Sequence, residues 1–249
     1  MSRFLLLYSD AGAPAWDGDP ADKTVAEHYN ETTWWFEGQP DWREMSAGAT
    51  QAWDSGGAAL SSSTQNGLAI WEASAGSLES LSVTKPFSTW VPADDWITMY
   101  WVVRWDAGIN DTAMWIEGAQ ANELLRMKVT TDDAFYLQLR CTNGEDLIIS
   151  PGASTTSSGW HVWSFRVHNI ASAGVLDFFQ DQESPRNVTN ASWVDMGFGD
   201  WTGTNRLWSN NTLTERWDGS IAEIILFREE HTDAEVQAIN SFLATKWGF

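Results

Sequence analysis

The chain has 249 residues, with 14 Lys and Arg against 34 Asp and Glu, and a formal net charge of −20. Nucleic acid and anionic lipid repel such an acidic chain, so we predict neither a nucleic-acid partner nor a membrane partner. Cys141 is the only cysteine, which excludes an internal disulfide and a thiolate zinc cluster. The fold must therefore depend on its hydrophobic core.

The composition indicates a single packed domain. Hydrophobic residues make up 43% of the chain, and β-sandwiches reach about 200 to 250 residues as one unit. Proline, glycine and aspartate interrupt residues 1–60, which we predict to form an irregular N-terminal arm and the first strands of the domain. Residues 61–249 are predicted to form a sandwich that ends in a helix.

Alternation of apolar residues predicts the strands. The odd-numbered residues from Ile97 to Trp105 are all apolar, which predicts a strand with one fully buried face. Two further alternating segments, 125–129 and 135–141, flank a polar turn and predict an antiparallel hairpin. Further strands are predicted at 147–149, 160–168, 175–180 and 221–227.

The last predicted element is an amphipathic helix. Thr232 and Glu235 have the spacing of a capping box, in which each side chain bonds to the backbone of the other residue. Apolar residues then recur at helical spacing from Val236 to Trp247, and Gly248 ends the pattern. The sequence therefore predicts an all-β fold with one C-terminal helix.

Residues 181–214 are rich in Asn, Asp, Gly, Ser and Thr and contain several tryptophans. A long loop with aromatic residues beside a rigid sheet is a usual position for a binding site. Aromatic rings cover the C–H faces of sugars, while carboxylate and guanidinium groups bind hydroxyls. The candidate glycan-binding residues are Trp193, Asp195, Asp200, Trp201 and Arg206. A loop whose tryptophans only anchor it to the sheet is the alternative interpretation.

Segments of the C-terminal half resemble a known family. The sequences WHVWSF, VLDFFQD and WDGSIAEIILF, at 160–165, 175–181 and 217–227, are similar to the closing strands of concanavalin A-like, laminin G-like jelly-roll domains. Residues 232–248 resemble the terminal helix of phage and microbial surface versions. The resemblance implies a two-sheet antiparallel jelly-roll sandwich that contacts glycans or proteins. Gln182 departs from the family, which usually has Gly there, and leaves the turn type open.

The carboxylates of the predicted strands do not form a catalytic motif. Glycosidases place two carboxylates roughly 5 to 9 Å apart across the scissile bond. Asp177, Asp181 and Glu183 are the nearest approach to such a pair, and we interpret them as a surface acidic cluster. No catalytic residue and no enzymatic activity are therefore predicted.

Calcium is the one cofactor that the sequence suggests. Asp17, Asp19 and Asp22 could offer several carboxylate oxygens to a hard cation. An EF-hand would need Glu where the sequence has His28, so a solvated acidic loop is the alternative interpretation.

The leading functional hypothesis is a non-enzymatic structural protein on the surface of a virus particle. It would be a capsid decoration, a turret or a tail-fibre subunit of a tailed virus. The N-terminus carries no signal-peptide pattern, which fits a virion protein assembled in the host cytoplasm. Its partners would be other virion proteins, further copies of itself and a host surface glycan. A carbohydrate-binding, lectin-like module is the alternative, and a glycoside hydrolase is a third hypothesis.

The excess of acid predicts a halophilic host, with an ordinary acidic surface as the alternative. The chain has 19 Asp and 15 Glu but only 4 Lys, and dense carboxylates repel one another unless molar salt screens them. We predict a melting temperature that rises between millimolar and molar NaCl, measured by circular dichroism. Equal melting temperatures at the two salt concentrations would contradict the halophilic hypothesis.

Overall fold

The structure, a computed structural model, describes fourteen parts of the chain. They are 32–37, 53–55, 61–73, 81–83, 97–105, 111–117, 124–129, 135–140, 144–150, 159–168, 173–192, 205–207, 217–227 and 230–249. Their strands are β1 (Thr32–Glu37), β2 (Trp53–Ser55), β3 (Ser61–Gln65), β4 (Leu68–Ala73), β5 (Leu81–Val83), β6 (Ile97–Trp105), β7 (Asp111–Glu117), β8 (Leu124–Val129), β9 (Phe135–Arg140), β10 (Asp146–Ile149), β11 (His161–His168), β12 (Gly174–Gln180), β13 (Arg186–Asn190), β14 (Asn205–Leu207) and β15 (Gly219–Phe227). Helix α1 (Asp233–Trp247) follows the last strand.

The described strands form two antiparallel sheets. Sheet 1 has the order β13-β12-β11-β6-β15-β4-β3. On the same edge of β15, β4 pairs with residues 219–221 and β1 pairs with residues 223–227. Sheet 2 has the order β10-β9-β8-β7-β14-β5-β2. This arrangement confirms the predicted all-β, two-sheet antiparallel sandwich with a C-terminal helix.

The interior between the two sheets is one apolar cluster. Sheet 1 contributes the odd-numbered residues of β6, and sheet 2 contributes alternate residues of β8, β9 and β10, such as Leu125, Leu137 and Leu147. Burial of each such side chain stabilises the fold by roughly 1.5–3 kcal/mol. The buried face that alternation predicts for the strand from Ile97 is therefore confirmed.

The opposite face of β6 is buried as well, which the alternation did not predict. Tyr100 and Val102 belong to a second apolar cluster, to which α1 contributes Val236, Ile239 and Leu243. These helix residues follow the predicted helical spacing. Sheet 1 is therefore enclosed along its central strands, by sheet 2 on one side and by α1 on the other.

Both ends of α1 agree with the sequence prediction. The Thr232 side chain accepts from the backbone N–H of Glu235, and the Glu235 carboxylate accepts from the backbone N–H of Thr232 at 2.6 Å. Gly248 terminates the helix with a φ of 80°, a left-handed conformation that glycine adopts readily. The capping box and the terminal glycine thus define the helix.

The prediction of one long loop over 181–214 is wrong in part. This segment contains β13, which pairs with β12 at the edge of sheet 1, and the short strand β14 inside sheet 2. Alternation did not reveal β13 because it is a polar edge strand with half-buried and exposed residues. Asp181 adopts a φ of 53°, so the turn after β12 reaches a left-handed conformation without glycine at 182.

A buried ion pair joins the end of α1 to sheet 1. Lys246 Nζ donates to both carboxylate oxygens of Glu223 at 2.9 Å, and Trp247 Nε1 donates to Oε2 at 2.7 Å. The side chains of Lys246 and Glu223 are 4% and 0% exposed. Such a pair is sensitive to the loss of either partner, because the other charge then stays buried and loses this counter-charge.

Lys246→Met is expected to lower the free energy of unfolding by about 3 kcal/mol, because it removes the ammonium group that donates to both oxygens of the buried Glu223 carboxylate. Urea denaturation measures the change. Glu223→Gln combined with Lys246→Met removes both charges and should recover part of the loss. Thr245→Ala, on the exposed side of the same turn, is the control. Wild-type stability of Lys246→Met would contradict the prediction.

Candidate functional site

The face of sheet 2 that points away from the core carries a group of polar and charged side chains. Alternate residues of β8, β9 and β10 belong to the core cluster, so the residues between them project from the other face. We define the outer-sheet patch as Arg126, Lys128, Tyr136, Gln138, Arg140 and Asp146. Three of its six members are cations and one is an acid, in a chain of net charge −20.

Hydrogen bonds connect four members of the outer-sheet patch across three strands. Asp146 lies opposite Arg140 in the β9–β10 register and accepts from it twice, from Nε at 2.8 Å and from Nη2 at 3.0 Å. Gln138 Nε2 donates to Asp146 Oδ1 at 2.9 Å, and Gln138 Oε1 accepts from Arg126 Nη2 at 3.1 Å. The Asp146 carboxylate and the Gln138 amide therefore hold both guanidinium groups.

The ring of Tyr136 holds the two cations of β8. Arg126 Cζ lies 5.3 Å and Lys128 Nζ lies 5.7 Å from the ring centroid, within the range of a cation–π interaction. Lys128 is only 8% exposed and Gln138 only 3%, although both lie on the face turned away from the core. The outer-sheet patch is therefore recessed, and charges in such a position are screened less by solvent than those on an open surface.

The pKa values of the Arg140–Asp146 pair follow from these contacts. Partial burial raises the pKa of Asp146. Hydrogen bonds from Arg140 and Gln138 together lower it by more than burial raises it, so the net pKa lies below the ordinary value of 3.8. The hydrogen bond to Asp146 raises the pKa of Arg140, which outweighs the opposing effect of burial. Both groups are thus ionised at neutral pH.

Four of the five glycan-binding residues predicted from the sequence lie outside the described residues: Trp193, Asp195, Asp200 and Trp201. Arg206 lies in β14, where its backbone pairs with Trp115 of β7. Trp115 in turn pairs with Arg126 of β8. Arg206 therefore occupies the same transverse row of sheet 2 as one member of the outer-sheet patch.

The interpretation of Asp177, Asp181 and Glu183 as a surface acidic cluster is wrong for Asp177. Asp177 is 3% exposed, and its Oδ2 accepts from Arg166 Nε at 2.9 Å and from Nη2 at 2.6 Å. Asp181 instead accepts from the backbone N–H of Val162 at 2.8 Å and contacts His161 at 2.7 Å. These two carboxylates therefore belong to separate structural networks.

The calcium prediction falls on residues outside the described ones, namely Asp17, Asp19 and Asp22, and stays a prediction. Within the parts of the chain that the structure describes, no group of three or more His, Cys, Asp or Glu side chains could hold a metal ion. The helix found there is neither long nor apolar enough to cross a bilayer.

No protein-family model and no curated protein matches the chain. Solved structures match it in fold. Botulinum neurotoxin type C, which depends on interaction with two ganglioside molecules to enter cells, matches with a TM-score of 0.68 and 8% identity, over 88% of this chain and 53% of the toxin chain. The binding domain of botulinum neurotoxin DC in complex with SialylT matches with a TM-score of 0.64 and 7% identity, over 86% of this chain and 52% of that one.

A smaller protein matches along its whole length. The CBM40 of the Ruminococcus gnavus IT-sialidase, bound to α2,3-sialyllactose, has a TM-score of 0.54 and 14% identity, over 74% of this chain and 100% of that chain. The fold is a concanavalin A-like sandwich. This confirms the fold that the sequence resemblance implies, whereas its laminin G-like and phage or microbial-surface aspects stay predictions. The chain spans about half the length of the two neurotoxin chains.

Asp146→Asn tests the electrostatics of the outer-sheet patch. Because the folded chain lowers the pKa of Asp146, its carboxylate stabilises the fold above the ordinary value of 3.8, and this contribution is lost as the pH falls through the lowered value. The variant should be less stable than the wild type at neutral pH, and the difference should shrink below pH 3.8. Urea denaturation across this range measures it.

Glu183→Gln removes an exposed carboxylate outside the patch and is the matched control for Asp146→Asn. Its stability difference from the wild type should be small at neutral pH. A difference between Asp146→Asn and the wild type that stays constant down to pH 3 would show that the carboxylate is not held ionised by its neighbours.

Proposed function

We propose that this protein is a non-catalytic carbohydrate-binding module that binds acidic glycans on the outer-sheet patch. The observation that carries the proposal is the charge of the patch, where Arg126, Lys128 and Arg140 share one face with the single acid Asp146. A ligand that carries a negative charge is the natural counterpart of this face. A neutral ligand would gain nothing from the positive charge of this face.

The surrounding negative charge limits the size of the acidic ligand that the patch can bind. The chain as a whole is acidic, so a polyanion such as nucleic acid is repelled from most of the surface. A glycan with one or two acidic groups can place these on the patch and keep its neutral parts elsewhere. The outer-sheet patch therefore favours a small acidic ligand over an extended polyanion.

The similar structures support a carbohydrate as the ligand. The CBM40 of similar fold is bound to α2,3-sialyllactose in one structure and to α2,6-sialyllactose in another. Sialic acid has a carboxylate, which is the group that arginine pairs best in a planar, bidentate manner. Sialylated oligosaccharides are accordingly the first ligands to test.

The other functional hypotheses have weaker support. The role on a virus particle, the halophilic host and the virion location stay predictions that the fold does not address, since similar sandwiches occur in proteins of many functions. Glycoside hydrolysis has no support from Asp177 or Asp181, because other side chains of the protein engage both carboxylates. A binding role needs no pair of free carboxylates.

Titration calorimetry with sialyllactose, and with lactose as the neutral counterpart, tests the proposed function. The wild type is expected to bind sialyllactose and to show little or no binding of lactose. Arg126→Met should weaken binding several-fold, because it removes one of the three positive charges that attract the acidic group. Arg104→Met, which removes an arginine of sheet 1, should bind like the wild type. Absence of binding to any acidic glycan, by calorimetry and on a glycan array, would refute the proposal.

A further inference from the structure

Arg140 differs from the other cations of the outer-sheet patch because one edge of its guanidinium group is engaged and another is not. A guanidinium group has five N–H donors in a planar fork. Asp146 accepts from Nε and from Nη2, which leaves both donors of Nη1 and one of Nη2. Within the described residues these three donors have no hydrogen-bond partner, and the side chain is 35% exposed.

The remaining edge of Arg140 is the one formed by Nη1 and Nη2. It lies at the end of the side chain, and a carboxylate or a sulfate can accept two parallel hydrogen bonds there. The bond to Asp146 uses the other edge, so both acceptors can be bound at once. Arg140 can thus bind an acidic group without giving up its internal partner.

The two cations of β8 are placed differently. Lys128 is nearly buried, and its ammonium group lies over the Tyr136 ring. Arg126 lies over the same ring and donates to the Gln138 amide. These two residues add positive charge to the face, whereas Arg140 adds an exposed fork that can specify the geometry of a ligand.

Asp146 fixes the direction of the Arg140 fork. It accepts from Arg140 twice and from the buried Gln138 amide once, so its own carboxylate is oriented by groups on β9. A side chain that is already ordered loses less conformational entropy when it binds a ligand. Asp146 therefore favours binding of an acidic ligand indirectly, because it orders the Arg140 side chain, although its own charge has the same sign as that of the ligand.

We propose that Arg140 anchors the acidic group of the glycan through its Nη1–Nη2 edge and that Asp146 is the positioning residue for this contact. The inference rests on the proposed function and specifies which residue recognises the acid and how. The shared chemistry of the ligand is an anionic group with two acceptor oxygens. A sialic acid carboxylate and a sugar sulfate both provide it.

A double-mutant cycle on full-length protein tests the inference. Calorimetry with 3′-sialyllactose, 3′-sulfolactose and lactose is applied to the wild type, Arg140→Met, Arg140→Lys, Asp146→Asn and the double variant Arg140→Met with Asp146→Asn. Arg140→Met should weaken binding of the acidic ligand about tenfold or more. Arg140→Lys should recover little of this loss, because lysine keeps the charge but not the fork.

The cycle separates a positioning role of Asp146 from a structural one. Asp146→Asn should weaken binding several-fold when Arg140 is present and have no further effect in the Arg140→Met background. Melting temperatures verify that each variant is folded, and Arg104→Met is the control for a general loss of positive charge. Binding of 3′-sialyllactose alone identifies the carboxylate as the ligand group, and binding of both acids identifies the shared anion chemistry.

The failure of the inference can be distinguished from that of the proposed function. If the wild type binds no acidic glycan, both are overturned. If it binds but Arg140→Met binds equally well, Arg140 is not the anchor, and if Arg140→Lys binds equally well, the Nη1–Nη2 edge is not what recognises the acid; the proposed function stands in both cases. If the effects of Asp146→Asn and Arg140→Met simply add, Asp146 does not act through Arg140 and the positioning role is overturned alone.

Discussion

Burial of both faces of the central strands of sheet 1 is the constraint on which the rest of the structure depends. β6 contributes alternate side chains to two apolar clusters, one shared with sheet 2 and one shared with α1. Sheet 2 buries one face of β8, β9 and β10 in the first cluster and turns polar side chains outward from the other. The binding site that we propose therefore lies on the sheet that α1 does not cover.

The chemistry of the outer-sheet patch follows from the cost of placing cations in a recessed position. A charged group that is removed from water must be compensated by partners. Asp146 provides a negative charge for Arg140, and the Tyr136 ring provides a negative π-face for Arg126 and Lys128. The face thus remains net positive while its cations are each partly compensated, which is a suitable state for binding one more anionic group.

The sequence predicts those parts of the molecule whose residues follow a local pattern. Period two from Ile97 to Trp105 and the capping box at Thr232 each have one structural interpretation, and both are confirmed. The burial of Tyr100 could not be predicted, because the group that covers it comes from far along the chain. Its hydroxyl contacts His231, 131 residues later, at 2.6 Å.

In the candidate site, too, the local sequence pattern predicts which residues point outward but not which of them pair across strands. The alternation in 125–129 and 135–141 separates Arg126, Lys128 and Arg140 from the core, but charged residues on the outer face of a hairpin are typical of any soluble sheet. Pairing of Asp146 with Arg140 is what makes the group a candidate site. That pairing depends on the register between β9 and β10, which the residue types alone do not reveal.

Register also explains why the site and the core are inseparable. The side chains of a strand alternate between its two faces, so a shift of one residue in β9 would turn Gln138 and Arg140 into the interior and bring Leu137 and Leu139 outward. The free energy of burying those leucines against sheet 1 therefore holds the hydrogen-bonding groups of β9 on the outer face. The apolar residues of the hairpin thus position the polar ones, and the placement of Arg140 on the outer face depends on packing in the interior.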